Sequence, residues 1–199
     1  MERNFSLKDN ITLKKEVLNY LEELDQFNIS FESLCNSVPR IKHIKDELFN
    51  IAQNSVNDKE LMKIIMVKKS IPLKYLSHKK KHRKRFIKQW RIYILALILI
   101  FRGSEYSFLK SYVSMPSNCE GLNSEGIVLD IKKDKAGLIT PQGSFIYVSP
   151  SFHSPVLGSY YIGKELHIKV PLNSFRIFFT AVKLLFLIFI FLYIVKFNN

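Results

Sequence analysis

Glycine is absent from residues 1–102 and occurs seven times in the whole chain. That shortage argues against tight hairpins in the first half and favours helices. Cysteine occurs twice, at Cys35 and Cys119, far apart and outside any paired motif. No disulfide framework or cysteine metal site is indicated, which fits a reducing compartment. Phosphate-loop, dinucleotide and nucleophile-elbow patterns are missing, and the carboxylates are scattered without pairing. His78 and His82 lie four apart but have no acidic or cysteine partner nearby, and His43, His153 and His167 are isolated. No catalytic residue, metal or cofactor is expected, and the chain is read as a non-enzyme. No apolar run follows Met1-Glu2-Arg3-Asn4, so no signal peptide is expected.

What is present is charge in one place. The chain has 199 residues, is 47% hydrophobic and carries a net charge of +13. That hydrophobic content excludes wholesale disorder. Residues 1–113 hold 22 basic and 12 acidic side chains, residues 114–174 five of each, and residues 175–199 three basic and none acidic. Eight Lys or Arg and no acid fall between Lys79 and Arg91. A focused basic patch points to a polyanion, either nucleic acid or an anionic lipid surface.

Periodicity divides residues 1–114 into short helices. Thr12 is a cap for a helix carrying Leu13, Val17, Leu21 and Leu24 at steps of four, four and three. Ser30 caps a short helix through Phe31 and Leu34. Ser37-Val38-Pro39 restarts the helix, with Ile44, Leu48, Ile51 and Ala52 as its stripe. Asn57-Asp58 breaks and re-caps ahead of Leu61, Ile64 and Ile65. Tyr106, Leu109, Tyr112 and Val113 suggest a closing helix after Gly103. The expectation is an all-α domain with a core of its own.

The spacing near the middle is that of a helix-turn-helix. Pro72–Ser77 forms the first helix, His78–Lys81 the turn, and a longer helix starts at about His82. On that helix Phe86, Ile87, Trp90, Ile94 and Leu97 share an apolar face, while Lys84, Lys88 and Arg91 share a basic one. Basic side chains on phosphate give affinity, and Arg or Gln at a base edge gives sequence preference. The candidate DNA-binding residues are Lys84, Arg85, Lys88, Gln89 and Arg91. The helix continues into Ile92–Phe101, which has no polar group but one tyrosine hydroxyl. Ten helical residues reach about 15 Å, roughly half of a ~30 Å hydrocarbon core. Bracketed by Arg91 and Arg102, this run is read as a buried central helix rather than a membrane span.

Residues 12–113 resemble the C-terminal domain of bacterial sigma factor I. The matching stretches are Phe27-Asn28-Ile29-Ser30-Phe31-Glu32-Ser33-Leu34, Val38-Pro39-Arg40, Ile71-Pro72-Leu73 and Tyr93-Ile94-Leu95-Ala96-Leu97. The resemblance implies a helix-turn-helix that reads the promoter −35 element and a surface held by an anti-sigma factor. Two positions depart from the family: Lys88 stands where it has an acid and Ile92 where it has a base. An altered sequence preference is expected. The family's polymerase-binding domain is expected to be absent from residues 1–199.

The period then changes. After a linker at 115–124, Ile127, Leu129 and Ile131 alternate with Val128 and Asp130 in a first strand. Lys132–Asp134 is a turn and Lys135–Thr140 a second strand. Thr140-Pro141-Gln142-Gly143 is a type I turn, with Gly143 free for positive φ. Ser144–Ser149 is a third strand and Tyr160-Tyr161-Ile162 a fourth, after which Gly163 turns the chain into Leu166–Val170. Such short strands are expected to close into a small barrel over 125–173. Gly126-Ile127-Val128-Leu129-Asp130-Ile131, Lys135-Ala136, Leu138 to Phe145 with its Thr-Pro-x-Gly-x-Phe hairpin, and Ile162-Gly163-Lys164-Glu165-Leu166 resemble the N-terminal domain of anti-sigma-I factors. The resemblance implies a sigma-binding face, expected at Ile127, Leu129, Ile131, Phe145 and Tyr147.

From Ile177 to Val195 only Lys183 is charged. A transmembrane helix over 175–197 is expected, with the basic flank placing the N-terminus and both domains in the cytoplasm. No sensor domain is expected beyond it. The fold expectation is therefore α+β: an all-α helix-turn-helix domain (1–114), a small antiparallel β-barrel, then one transmembrane helix. The functional expectation is a membrane-anchored regulator of the sigma-I/anti-sigma-I type. Its β domain would bind and inhibit a sigma-factor domain, in cis or in a separate sigma factor I, and would occlude the basic face. The expected partners are that domain, promoter DNA and the lipid bilayer. The alternative is a membrane-tethered helix-turn-helix regulator without anti-sigma activity.

Overall fold

The computed structural model describes residues 7–79, 83–113, 123–133, 135–149 and 154–165. The chain separates into two units, Met1–Leu166 and His167–Asn199, and every described residue lies in the first. Among the described residues seven helices precede four strands: α1 Leu7–Gln26, α2 Phe31–Ser37, α3 Lys42–Val56, α4 Lys59–Lys68, α5 Leu73–Lys79, α6 Lys84–Arg102, α7 Ser107–Val113, β1 Asn123–Lys132, β2 Lys135–Ile139, β3 Phe145–Ser149 and β4 Tyr160–Glu165.

Side-chain caps open two of the helices, α2 and α4. The Ser30 hydroxyl accepts from the Ser33 amide at 3.2 Å, and the Asp58 carboxylate accepts from the Leu61 amide at 3.1 Å, each satisfying a first-turn donor. Two expected starts are corrected. Thr12 lies inside α1, because a mid-helix threonine costs only a few tenths of a kcal/mol (~0.5) against a long amphipathic face. Pro39 does not open a helix; the residue before it, Val38, is pushed into the extended region at φ −71°, ψ 126°, and α3 starts at Lys42.

The core is built on the second half of α6. Every residue from Tyr93 to Phe101 is buried. Leu13, Val17, Tyr20 and Leu24 of α1 join this core, as do Leu48 and Ile51 of α3, Leu61 and Ile65 of α4, and Leu109 and Tyr112 of α7. Polar anchors fix α1 against the helix ends. Glu16, almost fully buried, accepts from the Phe108 and Leu109 amides at 3.0–3.1 Å and from the Ser107 hydroxyl at 3.1 Å. It thus caps α7 from outside that helix. Glu23 pairs with Arg102 at the last turn of α6, where a cation also suits the helix dipole.

The strands are antiparallel, in the hydrogen-bonded order β1-β2-β3-β4 with β4 returning to β1. β1 serves two neighbours: residues 123–127 pair with β4 and residues 127–132 with β2. The β3–β4 link is only two residue pairs, Val148↔Glu165 and Ser149↔Lys164. The result is a coiled four-stranded sheet, pinched at one end and open along the rest, in place of the sealed barrel expected. β4 passes straight through Gly163, which pairs with Ser124, so that glycine is not a turn.

The expected self-contained all-α core is also corrected. Ile127, Leu129, Ile139, Phe145 and Tyr147 of the sheet belong to the same apolar core as the helices. The opposite face holds a small cluster of its own, Val128, Ala136, Leu138, Val148 and Tyr161. No helix among the described residues is long and apolar enough to cross a membrane. The expected transmembrane helix at 175–197 lies outside the described residues, as does most of the 115–124 linker.

A β-bulge explains the one misplaced strand residue. The β1–β2 register shifts between Val128 and Asp130, leaving Leu129 without a partner. An extra residue reverses the alternation beyond it. Leu129 is therefore 1% exposed in the core, whereas Ile131 is turned out and 43% exposed. Leu129→Ala is expected to cost about 2–4 kcal/mol and Ile131→Ala less than about 0.5 kcal/mol. Urea unfolding of the two variants measures the contrast; equal losses would contradict the register.

Candidate nucleic-acid interface

α5 and α6 lie where spacing placed the two helices of the expected helix-turn-helix, and residues 80–82 between them are outside the described set. The first two turns of α6 are amphipathic. Ile87 is buried and Phe86 and Trp90 are partly buried against the core. Lys84, Arg85, Lys88, Gln89 and Arg91, all five expected DNA-binding residues, are exposed on the same helix. At 3.6 residues per turn, Lys84, Lys88 and Arg91 fall within about 60° of one another around the axis. Arg85 and Gln89 lie about 100° and 140° from Lys84, both to one side of that stripe.

The start of α6 is electrostatically unusual. Arg83 stands at the N-cap without a side-chain cap bond, and the first turn contains no acidic residue. A helix N-terminus carries about half a positive charge and exposes unpaired amides. Placing Arg83, Lys84 and Arg85 there concentrates cations where a phosphate is best received. The arrangement fits a polyanion backbone. Among the described residues no group of three or more His, Cys, Asp or Glu is placed to hold a metal.

The second candidate site is the contact between sheet and helices. Phe31 of α2 sits edge-on to Tyr147 at 5.1 Å and to Phe145 at 6.1 Å between ring centroids. Phe145 in turn meets Tyr93 of α6 at 6.3 Å. Such edge-to-face pairs contribute about 0.5–1.5 kcal/mol each beyond burial. The Tyr93 hydroxyl donates to the Gly143 carbonyl at 3.0 Å, and the Lys45 ammonium to the Ser144 hydroxyl at 2.6 Å. Tyr147 donates to Asp130 at 2.6 Å. Lys132 pairs with Glu32 at 3.2 Å in solvent, which adds little stability.

Two glycines let the surfaces meet. A Cβ on Gly137 would run into the Phe31 ring. One on Gly143, which also has φ +66°, would run into Phe49. Of the five expected sheet-face residues, Ile127, Leu129, Phe145 and Tyr147 lie in the shared core and Ile131 does not. The helical partners Phe31, Phe49 and Tyr93 were not anticipated as contact residues. Gly137 carried the available signal, since an isolated glycine inside a strand marks a close neighbour.

The expected occlusion of the basic face is not what the packing produces. The described sheet residues reach α6 at Tyr93, beyond the basic turns, and the five polar side chains remain exposed.

No family model matches the chain. It is similar to curated sigma factors over about half its length. It is 35% identical over 98 residues to the RNA polymerase sigma factor SigI4 of Acetivibrio thermocellus, covering 49% of this chain and 35% of that protein. It is 30% identical over 118 residues to SigI3 of the same organism, covering 59% and 45%. To SigI of Bacillus anthracis it is 26% identical over 105 residues, covering 53% and 43%. The chain thus contains a sigma-I-like region and spans less than half the length of each of these relatives.

Burial, with Asp130 nearby, pushes the Cys35 thiol up to about 12. Burial likewise holds the Tyr93 and Tyr147 phenols above the ordinary tyrosine range, the bond to Asp130 adding to the effect at Tyr147. In all three the folded state favours the neutral form. Their contribution is complete at neutral pH. It falls as pH rises past the unfolded values, 9.0 for the thiol and 10.0 for the phenols. The urea midpoint is expected to hold between neutrality and pH 9.0 and to decline above it; a midpoint that rises in that alkaline range would refute these environments.

Proposed function

We propose that the chain is a sigma-factor-like transcription regulator that binds promoter DNA through the Lys84, Lys88 and Arg91 face of α6. The observation that carries this reading is the division of α6 itself. Its second half is buried from Tyr93 to Phe101, and its first two turns present five exposed polar side chains, four of them basic. A recognition helix needs such a root and such a face. The sigma-factor names of the relatives support the reading and are consistent with a non-enzyme.

The finer part of the proposal concerns the sheet. It engages the sigma-like helices in cis through Ile127, Leu129, Phe145 and Tyr147, as an anti-sigma element engages its target. The shared core and the Phe31–Tyr147 and Tyr93–Phe145 contacts support that part.

Binding of the chain to a −35-type promoter duplex is expected to weaken steeply with salt. Each of Lys84→Ala, Lys88→Ala and Arg91→Ala is expected to lower the slope of log K against log salt by about 0.9. Anisotropy titrations at several salt concentrations measure this. Absence of binding at low salt, or slopes unchanged in all three variants, would remove the proposal.

A further inference from the structure

We infer that the sheet and DNA occupy the helical part at the same time: the docked sheet is a fixed support of α6 and leaves its basic face open to a nucleic-acid backbone. The inference rests on the DNA-binding reading above and adds how that site stands toward the chain's own sheet.

The geometry of α6 carries it. At 3.6 residues per turn, Tyr93 projects about 180° from Lys84, with Lys88 and Arg91 on the Lys84 side. Tyr93 of α6 meets the sheet through Phe145 and the Gly143 carbonyl. The sheet's other contacts include Phe31, Glu32, Lys45 and Phe49 on α2 and α3, Tyr112 on α7 through Tyr160, and Lys14 on α1 beside Gly158. The sheet thus takes the opposite side of the helix from the basic stripe.

Charge points the same way. An element that covered the stripe in place of DNA would need to be acidic, since desolvating unpaired cations is costly. Residues 125–165 hold four basic and four acidic side chains. Asp130 is engaged by the Tyr147 hydroxyl within the sheet. The sheet offers the stripe no excess negative charge, and its contact with the helices is mainly aromatic.

Cys35 reports the docking, because it is partly buried on α2 and packs against the shared core beneath the sheet. The test uses the full chain carrying Cys119→Ser, so that Cys35 is the only thiol. Maleimide labelling is timed with and without a saturating promoter duplex, whose binding is followed by anisotropy. The expected result is binding with the labelling rate changed by less than about twofold, whereas release of the sheet would raise it by about tenfold or more. Phe145→Ala, which loosens the docking, is expected to speed labelling without tightening DNA. Binding that unmasks Cys35, or DNA affinity that rises as the sheet loosens, overturns the inference alone. No binding at low salt overturns the DNA reading and the inference with it.

Discussion

Burial of one continuous helical run, Tyr93–Phe101, sets the terms for the rest of the first unit. A helix apolar on every side has no face to give to water, so other elements must surround it. α1, α3, α4 and α7 supply aliphatic and aromatic side chains to the same core, and α2 joins the sheet to it through Phe31. Tyr93 brings the one hydroxyl of the run into that environment, and the Gly143 carbonyl accepts from it. Without that acceptor a buried donor would cost about 1–3 kcal/mol. The sheet is thereby drawn into the helical core by a polar requirement as well as an apolar one.

The same helix changes character within two residues. Arg91 is exposed and Tyr93 is buried, with Ile92 half-buried between them. A rigid root and a solvated face on one element give a binding surface more precise geometry than a loop would. The polar anchors at the other end serve the same purpose, since the Glu23–Arg102 pair fixes the last turn of α6 against α1.

Much of this was legible in the sequence. Apolar spacing located the helices, the basic run located the exposed face, and Thr140–Gly143 located the hairpin turn, closed by a bond of 2.8 Å from the Gly143 amide to the Thr140 carbonyl. What escaped were features that no local pattern encodes. The bulge at Leu129 adds one residue to a strand whose alternation otherwise reads as regular, and it turned Ile131 outward. The joint core of helices and sheet depends on Phe31, Phe49 and Tyr93, which look like any other core aromatics when read one helix at a time. The side of α6 taken by the sheet follows from that packing, so the basic face was expected to be covered when it is open.

Glu16 has a further consequence. Its carboxylate is the only cap the start of α7 receives among the described contacts, and it arrives from a helix more than ninety residues earlier in the chain. If α1 lifted away, α7 would lose its amide acceptor, and a carboxylate that now sits almost out of solvent would have to be rehydrated. Glu16 therefore couples the first and last helices of the bundle: opening that parts Glu16 from the Phe108 and Leu109 amides is felt by both.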